Sequence, residues 1–447
     1  MSARRASTSL TRVPALPPLI EREPSAFAAR DFGALEWQGT VRLAVDRAAG
    51  LSAARWQQHV RTGLLERVLV LGADHREGPH LDRPEAARRL LAHIDALAEA
   101  GLTLENLAEF AEEAEFDQPG ALWALTILFG CLDVSSADDA IEAFIDSLDE
   151  ALFLSYRGVR EVAEALAVQP DPRLRQRALR WVSGSSAVRC ALSLELRGPG
   201  EPLADDALDD LLRMEKPLVF AAVERLLTRS PAPASGRARA ASRRPSWIDM
   251  PLPALAHEVA RSRILGRDFE PLARVRDGDA RAIAALGPFV IDVLALAGDN
   301  RDQGLSRDLA QGLPTTPELL SSMGRLGLPA LFPRLLAELD RDDFDDAAHE
   351  ALATAVGPLV ERPSAQAWEQ AIRALPSAAN AGRLRGGAPH TPAAVIEEMR
   401  RPEHSAEDLR LRAEEVLVKT GRAIQVNWGA FGESLEGALY DLARLAR

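Results

Sequence analysis

The stretch LFPRLLAELDRDDFDDAAHEALATAVG, residues 331–357, carries the pattern that decides the fold. Two runs with apolar residues at spacings of three and four, which is typical of helices, flank a short acidic segment. In the second run, Ala348 is small enough to let a neighbouring helix approach, and Leu352 fills the core one turn later. Gly357 is expected to end this helix in a left-handed conformation. The stretch therefore predicts two helices joined by a short turn.

The acidic segment of this stretch invites interpretation as a metal site, but its spacing does not fit one. A calcium-binding EF-hand loop needs a glycine at position six and a glutamate at position twelve. Counted from Asp340, these positions hold Asp345 and Ala351. The zinc-protease pattern fails as well, because Ala353 stands where a second histidine should follow His349. We therefore predict that the acids cap the second helix or lie in its first turn.

Other stretches repeat this order of small and large apolar residues followed by a glycine. Such helices are expected to end at Gly130, Gly184, Gly287, Gly357 and Gly421. The spacing between the last three is about twice one helix-pair repeat, slightly compressed relative to ~40 residues. Because a lone pair of helices cannot bury both of its faces, stacked pairs would share a continuous core. The recurrence predicts an array of stacked helical hairpins.

The bulk composition agrees with a large helical protein. The chain has 447 residues, of which 47% are apolar and 27% charged, so it is a folded chain too long for one ordinary domain. Helix-forming residues dominate, whereas tyrosine occurs twice. The net charge of −13 argues against a general nucleic-acid binder, which needs a basic face. Only Cys131 and Cys190 occur, so we expect a reducing, cytoplasmic location.

The sequence leads us to expect no membrane or targeting segment. The longest uncharged apolar run, at residues 121–132, is about half of the ~20 residues that a spanning helix needs. The N-terminal stretch begins with basic residues, but Arg12 and several prolines interrupt any apolar core. It therefore does not resemble a signal peptide.

Breaks in the apolar pattern divide the chain into segments. Residues 1–28 are predicted to be a disordered tail, 29–228 an N-terminal helical array and 248–447 a C-terminal helical array. Between the arrays, residues 229–247 are rich in Pro, Ala, Ser and Arg and have no apolar periodicity. We expect a flexible linker there. A second gap, at residues 376–392, separates the last helices.

Three further stretches contain residue types or patterns that are found in binding sites. DHREGPHLD, residues 74–82, contains potential metal ligands, but their spacing fits no rigid site, and an exposed loop is expected. RLRGGAPH, residues 383–390, could hold an anion, although a flexible loop is favoured. The apolar run at residues 67–75 lacks the glycine-rich turn of a nucleotide site and is predicted to be helical. Since no nucleophile elbow or phosphate loop occurs either, no catalytic residue, cofactor or metal ligand is predicted.

Four residues are the candidate contacts for a protein partner. Trp247 and Trp368 flank breaks in the helical pattern, and tryptophan is enriched at the centres of interfaces. Arg383 and Arg385 stand beside paired glycines. A basic cluster in the predicted linker could also contact an acidic partner, but a solvated segment is favoured there. That cluster comprises Arg229, Arg237, Arg239, Arg243 and Arg244.

The predicted helix pairs resemble HEAT repeats. DPRLRQRAL matches the aspartate, arginine and alanine of the second-helix motif at Asp171, Arg175 and Ala178. The stretch at 331–357 departs from the motif, because an aspartate stands where arginine is usual. The resemblance implies an all-α fold, a HEAT-like α-solenoid of stacked helical hairpins in two arrays with a flexible linker.

Two longer regions extend the resemblance to a family of proteobacterial HEAT-like proteins of about this length. They are PHLDRPEAARRLLAHIDALAEAG, residues 79–101, and AGRLRGGAPHTPAAVIEEMRRPEHSAEDLRLRAEEVLVKTG, residues 381–421. Some members of that family are encoded among type VI secretion genes. The resemblance therefore implies a cytoplasmic accessory role near type VI secretion.

The leading functional hypothesis is a non-enzymatic scaffold or adaptor, because stacked helix pairs expose an extended surface to protein partners. A HEAT-like enzyme is the alternative, since this fold also occurs in bilin lyases and in alkylpurine DNA glycosylases. A glycosylase would need a basic face, and a lyase would bind a bilin pigment. A third hypothesis is an immunity-type inhibitor whose acidic face blocks a basic toxin.

Overall fold

The protein is described by a computed structural model, in which the described residues are mostly helical and form very little strand. The all-α prediction is therefore confirmed. The predicted tail at 1–28, apart from residues 11–12, and most of the predicted linker lie outside the described residues. The described residues are 11–12, 53–78, 83–99, 102, 106–107, 110, 120–133, 140–148, 156–168, 172–184, 186–197, 203, 205–229, 246–341, 343–359, 363–375, 382–401 and 404–421.

The chain divides into two compact units. The first comprises Met1–Gly198, Pro402–Glu407 and Asn427–Glu433, and the second comprises Pro199–Arg401, Asp408–Val426 and Ser434–Arg447.

The first unit contains seven helices among the described residues. They are α1 (Ala53–Glu77), α2 (Arg83–Glu99), α3 (Ala121–Cys131), α4 (Ala140–Ser147), α5 (Arg157–Ala167), α6 (Pro172–Leu179) and α7 (Ala187–Leu196). The pair β1 (Thr11–Arg12) and β2 (Leu132–Asp133) is antiparallel. Helix α1 packs on α2 and α3, α3 packs on α5, and α5 packs on α7.

Helix α3 is the centre of the first unit because it is apolar on every side. Its described side chains are buried, including Trp123. A Cβ atom at Gly72 of α1 would lie 2.3 Å from the Cβ of Ala124, so the glycine allows the two helices to touch. The prediction that residues 67–75 are helical is confirmed, since α1 runs through them.

The second unit contains thirteen helices among the described residues. They are α8 (Asp205–Arg213), α9 (Pro217–Arg229), α10 (Pro253–Leu265), α11 (Glu270–Arg276), α12 (Ala280–Leu286), α13 (Val290–Ala297), α14 (Gln303–Gly312), α15 (Pro317–Leu326), α16 (Phe332–Ala337), α17 (Asp345–Val356), α18 (Ala365–Ala374), α19 (Pro392–Met399) and α20 (Ala406–Thr420). Two short strands, β3 (Leu384–Arg385) and β4 (Ala388–Pro389), pair antiparallel.

The second unit is built by helices that pack in a regular order. Helix α9 packs on α10, α10 on α12 and α13, α13 on α15, and α15 on α17. This order differs from the predicted boundaries, because α9 and α10 lie on either side of the predicted linker at 229–247 and yet pack together. The division between the two units falls instead after Gly198.

The stretch at 331–357 forms helices α16 and α17, so the predicted helix pair is confirmed. Helix α17 begins at Asp345, and its N-cap residue Phe344 makes no side-chain capping bond. Asp345 and Asp346 therefore act as first-turn residues at the positive end of the helix dipole rather than as side-chain caps. Gly357 has φ 108° and ψ 155°, so it ends the helix without the expected left-handed conformation.

One described stretch meets the length and apolarity criteria of a membrane span. Ala280–Ala297 has a mean hydropathy of 1.8, and half of it is buried within the protein. It consists of α12, a 3-10 turn at Gly287–Phe289 and α13, and the φ of Gly287 is 53°. A half-buried core segment passes the same test, so this is weak evidence for a membrane span.

Helices α15 and α17 approach so closely that a glycine is required between them. A Cβ atom at Gly324 would lie 2.5 Å from the Cα of Ala351 and 2.6 Å from its carbonyl oxygen. Both atoms belong to the main chain of α17, so they cannot move aside as the end of a flexible side chain would. The close packing of α15 on α17 therefore requires that residue 324 has no side chain.

We expect Gly324→Ala to destabilise the protein, because overpacking a tight helix contact costs about 1–3 kcal/mol. The free energy of unfolding, measured by urea denaturation, would report it. Gly304→Ala on α14 is the matched control, since nothing lies within 4 Å of a Cβ atom at Gly304. That variant should be stabilised by about 0.4–1 kcal/mol through the lower entropy of its unfolded chain. Equal effects of the two substitutions would contradict the close contact.

Candidate functional site

The segment GRLRGGAPH, residues 382–390, forms a tight β-hairpin made of β3, β4 and a two-residue turn. The turn residues Gly386 and Gly387 have φ values of 57° and 79°. Hairpin turns of this length commonly need two consecutive positive φ values, which a Gly-Gly pair adopts without steric penalty. The predicted flexible loop at 383–390 is therefore wrong, because the paired glycines specify a hairpin.

The guanidinium group of Arg383 lies among main-chain carbonyls at the C-terminal ends of α13 and α15. It donates hydrogen bonds to the carbonyl oxygens of Ala295 at 2.7 Å, Gly298 at 2.9 Å and Leu326 at 2.8 Å. A helix leaves its last four carbonyls without an intrahelical donor, and this end carries partial negative charge. One side chain of the hairpin therefore supplies donors and positive charge to both helix ends.

The main chain of the hairpin closes a third helix, α17. The amide of Gly386 donates to the carbonyl of Thr354 at 2.9 Å, and the amide of Gly387 donates to the carbonyl of Ala355 at 3.0 Å. A Cβ atom at Gly387 would lie 2.6 Å from the carbonyl oxygen of Val356. Glycine is thus required here both by the turn and by the contact with the helix end.

Arg385 is fully buried, and two carboxylates meet its charge. It bonds to Glu398 of α19 and to Glu415 of α20, the latter at 3.1 Å, and it also donates to the carbonyl of Arg325 at 3.1 Å. A buried guanidinium is costly unless its charge and its N–H groups find partners. The hairpin therefore fixes α19 and α20 against the rest of the second unit.

Two more side chains complete this cluster. Arg412 bonds to Glu398 at 2.8 Å, and the Nε2 of His390 lies 2.5 Å from Glu415. Burial alone would raise the pKa of Glu415, but the positive charge of Arg385 and the hydrogen bond from His390 hold that pKa well below its usual range. Burial lowers the pKa of His390. A neutral imidazole therefore donates to an ionised carboxylate.

A second buried carboxylate, Asp292 of α13, is shared by α10 and α15. The Nε2 of His257 lies 2.6 Å from one carboxylate oxygen, Arg325 bonds to the other, and Arg261 lies 3.6 Å away. Burial lowers the pKa of His257 to about 3, and Arg261 adds to this effect. In the unfolded chain, His257 has its ordinary pKa of 6.5 and binds a proton below that pH. In the folded chain it stays neutral until the pH approaches 3. The stability from this group is present above pH 6.5 and is lost as the pH falls toward 3.

Buried ion pairs connect helix to helix along the second unit. Arg225 of α9 bonds to Glu258 of α10 at 2.7 Å, and Arg261 of α10 bonds to Glu414 of α20 at 2.5 Å. Asp292 then joins α10 to α13 and α15. We call these paired residues the charge ladder: Arg225, Glu258, Arg261, Asp292, Arg325 and Glu414.

Sequence reasoning missed the charge ladder, although one signal was present. Asp292 interrupts the otherwise apolar helix VIDVLALA, and a carboxylate on a buried face has to be paired. Its partner Arg325 lies 33 residues further on, beyond the reach of any local pattern.

The structure describes only part of the HEAT-like motif predicted at residues 171–179. Arg175 donates to the carbonyl of Leu196 at 3.2 Å, and Asp171 lies outside the described residues.

All four side chains predicted to contact a partner are buried: Trp247, Trp368, Arg383 and Arg385. Trp247 donates its indole N–H to Glu270 at 2.7 Å, and Trp368 donates to His349 at 3.0 Å. The structure brings the two arginines together in the hairpin, whereas Trp247 precedes α10 and Trp368 lies on α18. Partner binding through these residues stays a prediction, and it would require their internal contacts to open.

The stretch at 74–82 is not an exposed loop in its first half, because α1 continues to Glu77. His75 is buried and stacks on Trp123 with 4.6 Å between ring centroids, and Arg76 pairs with Glu164 at 2.5 Å. Residues 79–82 lie outside the described residues. Within the part of the chain that the structure describes, no three His, Cys, Asp or Glu side chains are placed to hold a metal ion.

Compared with known proteins, the chain matches no family model, no curated protein and no solved structure. The resemblance to HEAT-like proteins consequently rests on the motifs quoted above.

We expect Arg385→Met to destabilise the protein by about 3–5 kcal/mol, because it removes a cation shared by two buried carboxylates. Urea denaturation at neutral pH measures this loss. Arg373→Met on α18 is the matched control: Arg373 is exposed and pairs with Glu369 at 2.7 Å. An exposed pair contributes at most about 1 kcal/mol. Losses of similar size in the two variants would show that the buried cluster does not hold the unit together.

Proposed function

We propose that the chain is a non-enzymatic protein-interaction scaffold built as a HEAT-like α-solenoid. The packing order in the second unit carries this proposal: α9, α10, α13, α15 and α17 each pack on the next. Helices that pack in this order bury the faces that they share with their neighbours. Their other faces stay available to a partner protein.

The chemistry of the second unit supports a non-enzymatic role. His257, which pairs with a carboxylate as a catalytic base can, is held neutral beside Asp292, and its pKa of about 3 makes it a weak base near pH 7. A general base works best when its pKa lies near the working pH. Asp292 is itself bonded to Arg325. His257, Asp292 and Arg325 therefore pair with one another inside the protein rather than with a substrate.

The charge of the chain supports a protein partner with a basic surface. A net charge of −13 repels nucleic acid and attracts basic proteins at long range. The resemblance to HEAT-like proteins near type VI secretion genes suggests where to search, namely among cytoplasmic components of that system. The immunity-type inhibitor, which would also bind a basic protein, remains the second candidate.

The proposal is tested by affinity capture of the tagged full-length chain from its own cells. We expect one protein to co-purify in a fixed stoichiometry and to bind the purified chain with a single dissociation constant. The complex should weaken as salt is added, because the charge contribution is screened. Gly304→Ala should bind as the parent chain does, since nothing surrounds that position.

Two results would count against a scaffold. One is the absence of any stoichiometric partner under conditions in which the chain is folded. The other is turnover of a bilin pigment or of alkylated DNA by the purified chain. A partner that proves to be a toxin, and whose activity the chain abolishes, would favour the inhibitor.

A further inference from the structure

The amine of Lys419 shares one carbonyl oxygen with a guanidinium group. Lys419 lies in the last turn of α20, and its Nζ donates to the carbonyl of Gly298 at 2.8 Å. The same oxygen accepts a hydrogen bond from Arg383 at 2.9 Å. Two cationic donors are thus held against one neutral acceptor, and the amine is half-buried.

Among the described residues, this carbonyl is the sole hydrogen-bond acceptor of the Lys419 amine. The acidic groups that face the amine are engaged by other cations. They are Glu415, bonded to Arg385; Asp299, bonded to Arg301; and Asp302, bonded to Arg276. Their charges reach the amine only through space, and none of them neutralises it directly.

Of the two neighbouring cations, the amine is the one that can lose its proton. A guanidinium stays protonated in proteins, whereas an ammonium readily shifts its pKa when it is buried. Burial lowers the pKa of Lys419 to about 8, and the charge of Arg383 adds to this effect. A substantial fraction of the amine is therefore neutral, and hence nucleophilic, near physiological pH.

We propose that Lys419 is a nucleophilic amine and the site at which activated acyl groups, such as acyl phosphates and acyl thioesters, modify this chain. The lone pair of the neutral nitrogen attacks the acyl carbon and forms a C–N bond. The C–O bond of the acyl phosphate, or the C–S bond of the thioester, breaks. The phosphate or thiolate leaves with the bonding electron pair, and the extra proton on nitrogen passes to solvent.

The chain contains its own reference for this chemistry. It has two lysines, and the other, Lys216, is exposed just before α9. Cleavage after arginine separates the two amines, since Lys419 falls in the peptide of residues 413–422 and Lys216 in that of residues 214–225. Mass spectrometry of these peptides therefore compares both sites in one sample.

The test treats the full-length chain with a limiting amount of acetyl phosphate across a series of pH values. Near neutral pH, we expect the initial rate of acetylation at Lys419 to exceed that at Lys216 by at least about tenfold, because a substantial fraction of the Lys419 amine is neutral there. The rate at Lys419 should level off above about pH 8, where most of its amine is already neutral.

Two controls separate the folded site from the reagent's own preference. In denaturant the preference for Lys419 should disappear, because the contacts around Gly298 are lost. Lys419→Gln, which adds no cleavage site, should remove the label from the peptide of residues 413–422 while leaving that at Lys216. The proposal is overturned if Lys216 reacts as fast as Lys419 in the folded chain, or if the rate at Lys419 rises without levelling off through pH 10.

Discussion

Three helix C-termini in the second unit need donors for their last carbonyls, and the β3–β4 hairpin supplies them. Arg383 serves α13 and α15, and the amides of Gly386 and Gly387 serve α17. A buried carbonyl without a donor costs about as much as a lost hydrogen bond. The order in which these helices pack is therefore tied to a segment that follows all of them in the chain.

The charges around the hairpin follow from this constraint. Once Arg383 and Arg385 are buried among helix ends, carboxylates have to come with them, and α19 and α20 provide Glu398 and Glu415. Lys419 lies one turn after Glu415 on the same helix, where the carboxylates facing it are already engaged. Buried pairs of this kind are weak contributors to net stability, but breaking one is costly. We infer that these pairs, like those of the charge ladder, favour one register of the helices over others that would leave a charge unpaired.

Local patterns predicted the helices, the helix pair at 331–357 and the helical character of residues 67–75, because these depend on neighbours in sequence. They did not predict the role of Arg383, whose acceptor Gly298 lies 85 residues earlier in the chain. An arginine beside two glycines has the same local pattern whether it faces solvent or caps a buried helix. Trp247 and Trp368 were misleading for the same reason: each stands near a break in the helical pattern, yet each side chain is buried within the protein. Gly386 and Gly387 did carry a usable signal, since a Gly-Gly pair is typical of a two-residue hairpin turn.

The protection of the hairpin amides against hydrogen exchange tests this account most directly. Hydrogen–deuterium exchange of the native chain, followed by mass spectrometry of peptides covering residues 382–390, reports on the bonds from Gly386 and Gly387 to the end of α17. The account predicts that this peptide exchanges as slowly as those from α13 and α15, because the hairpin opens only when the helix ends it caps come apart. Rapid exchange of the hairpin alongside slow exchange of α13 and α15 would contradict it.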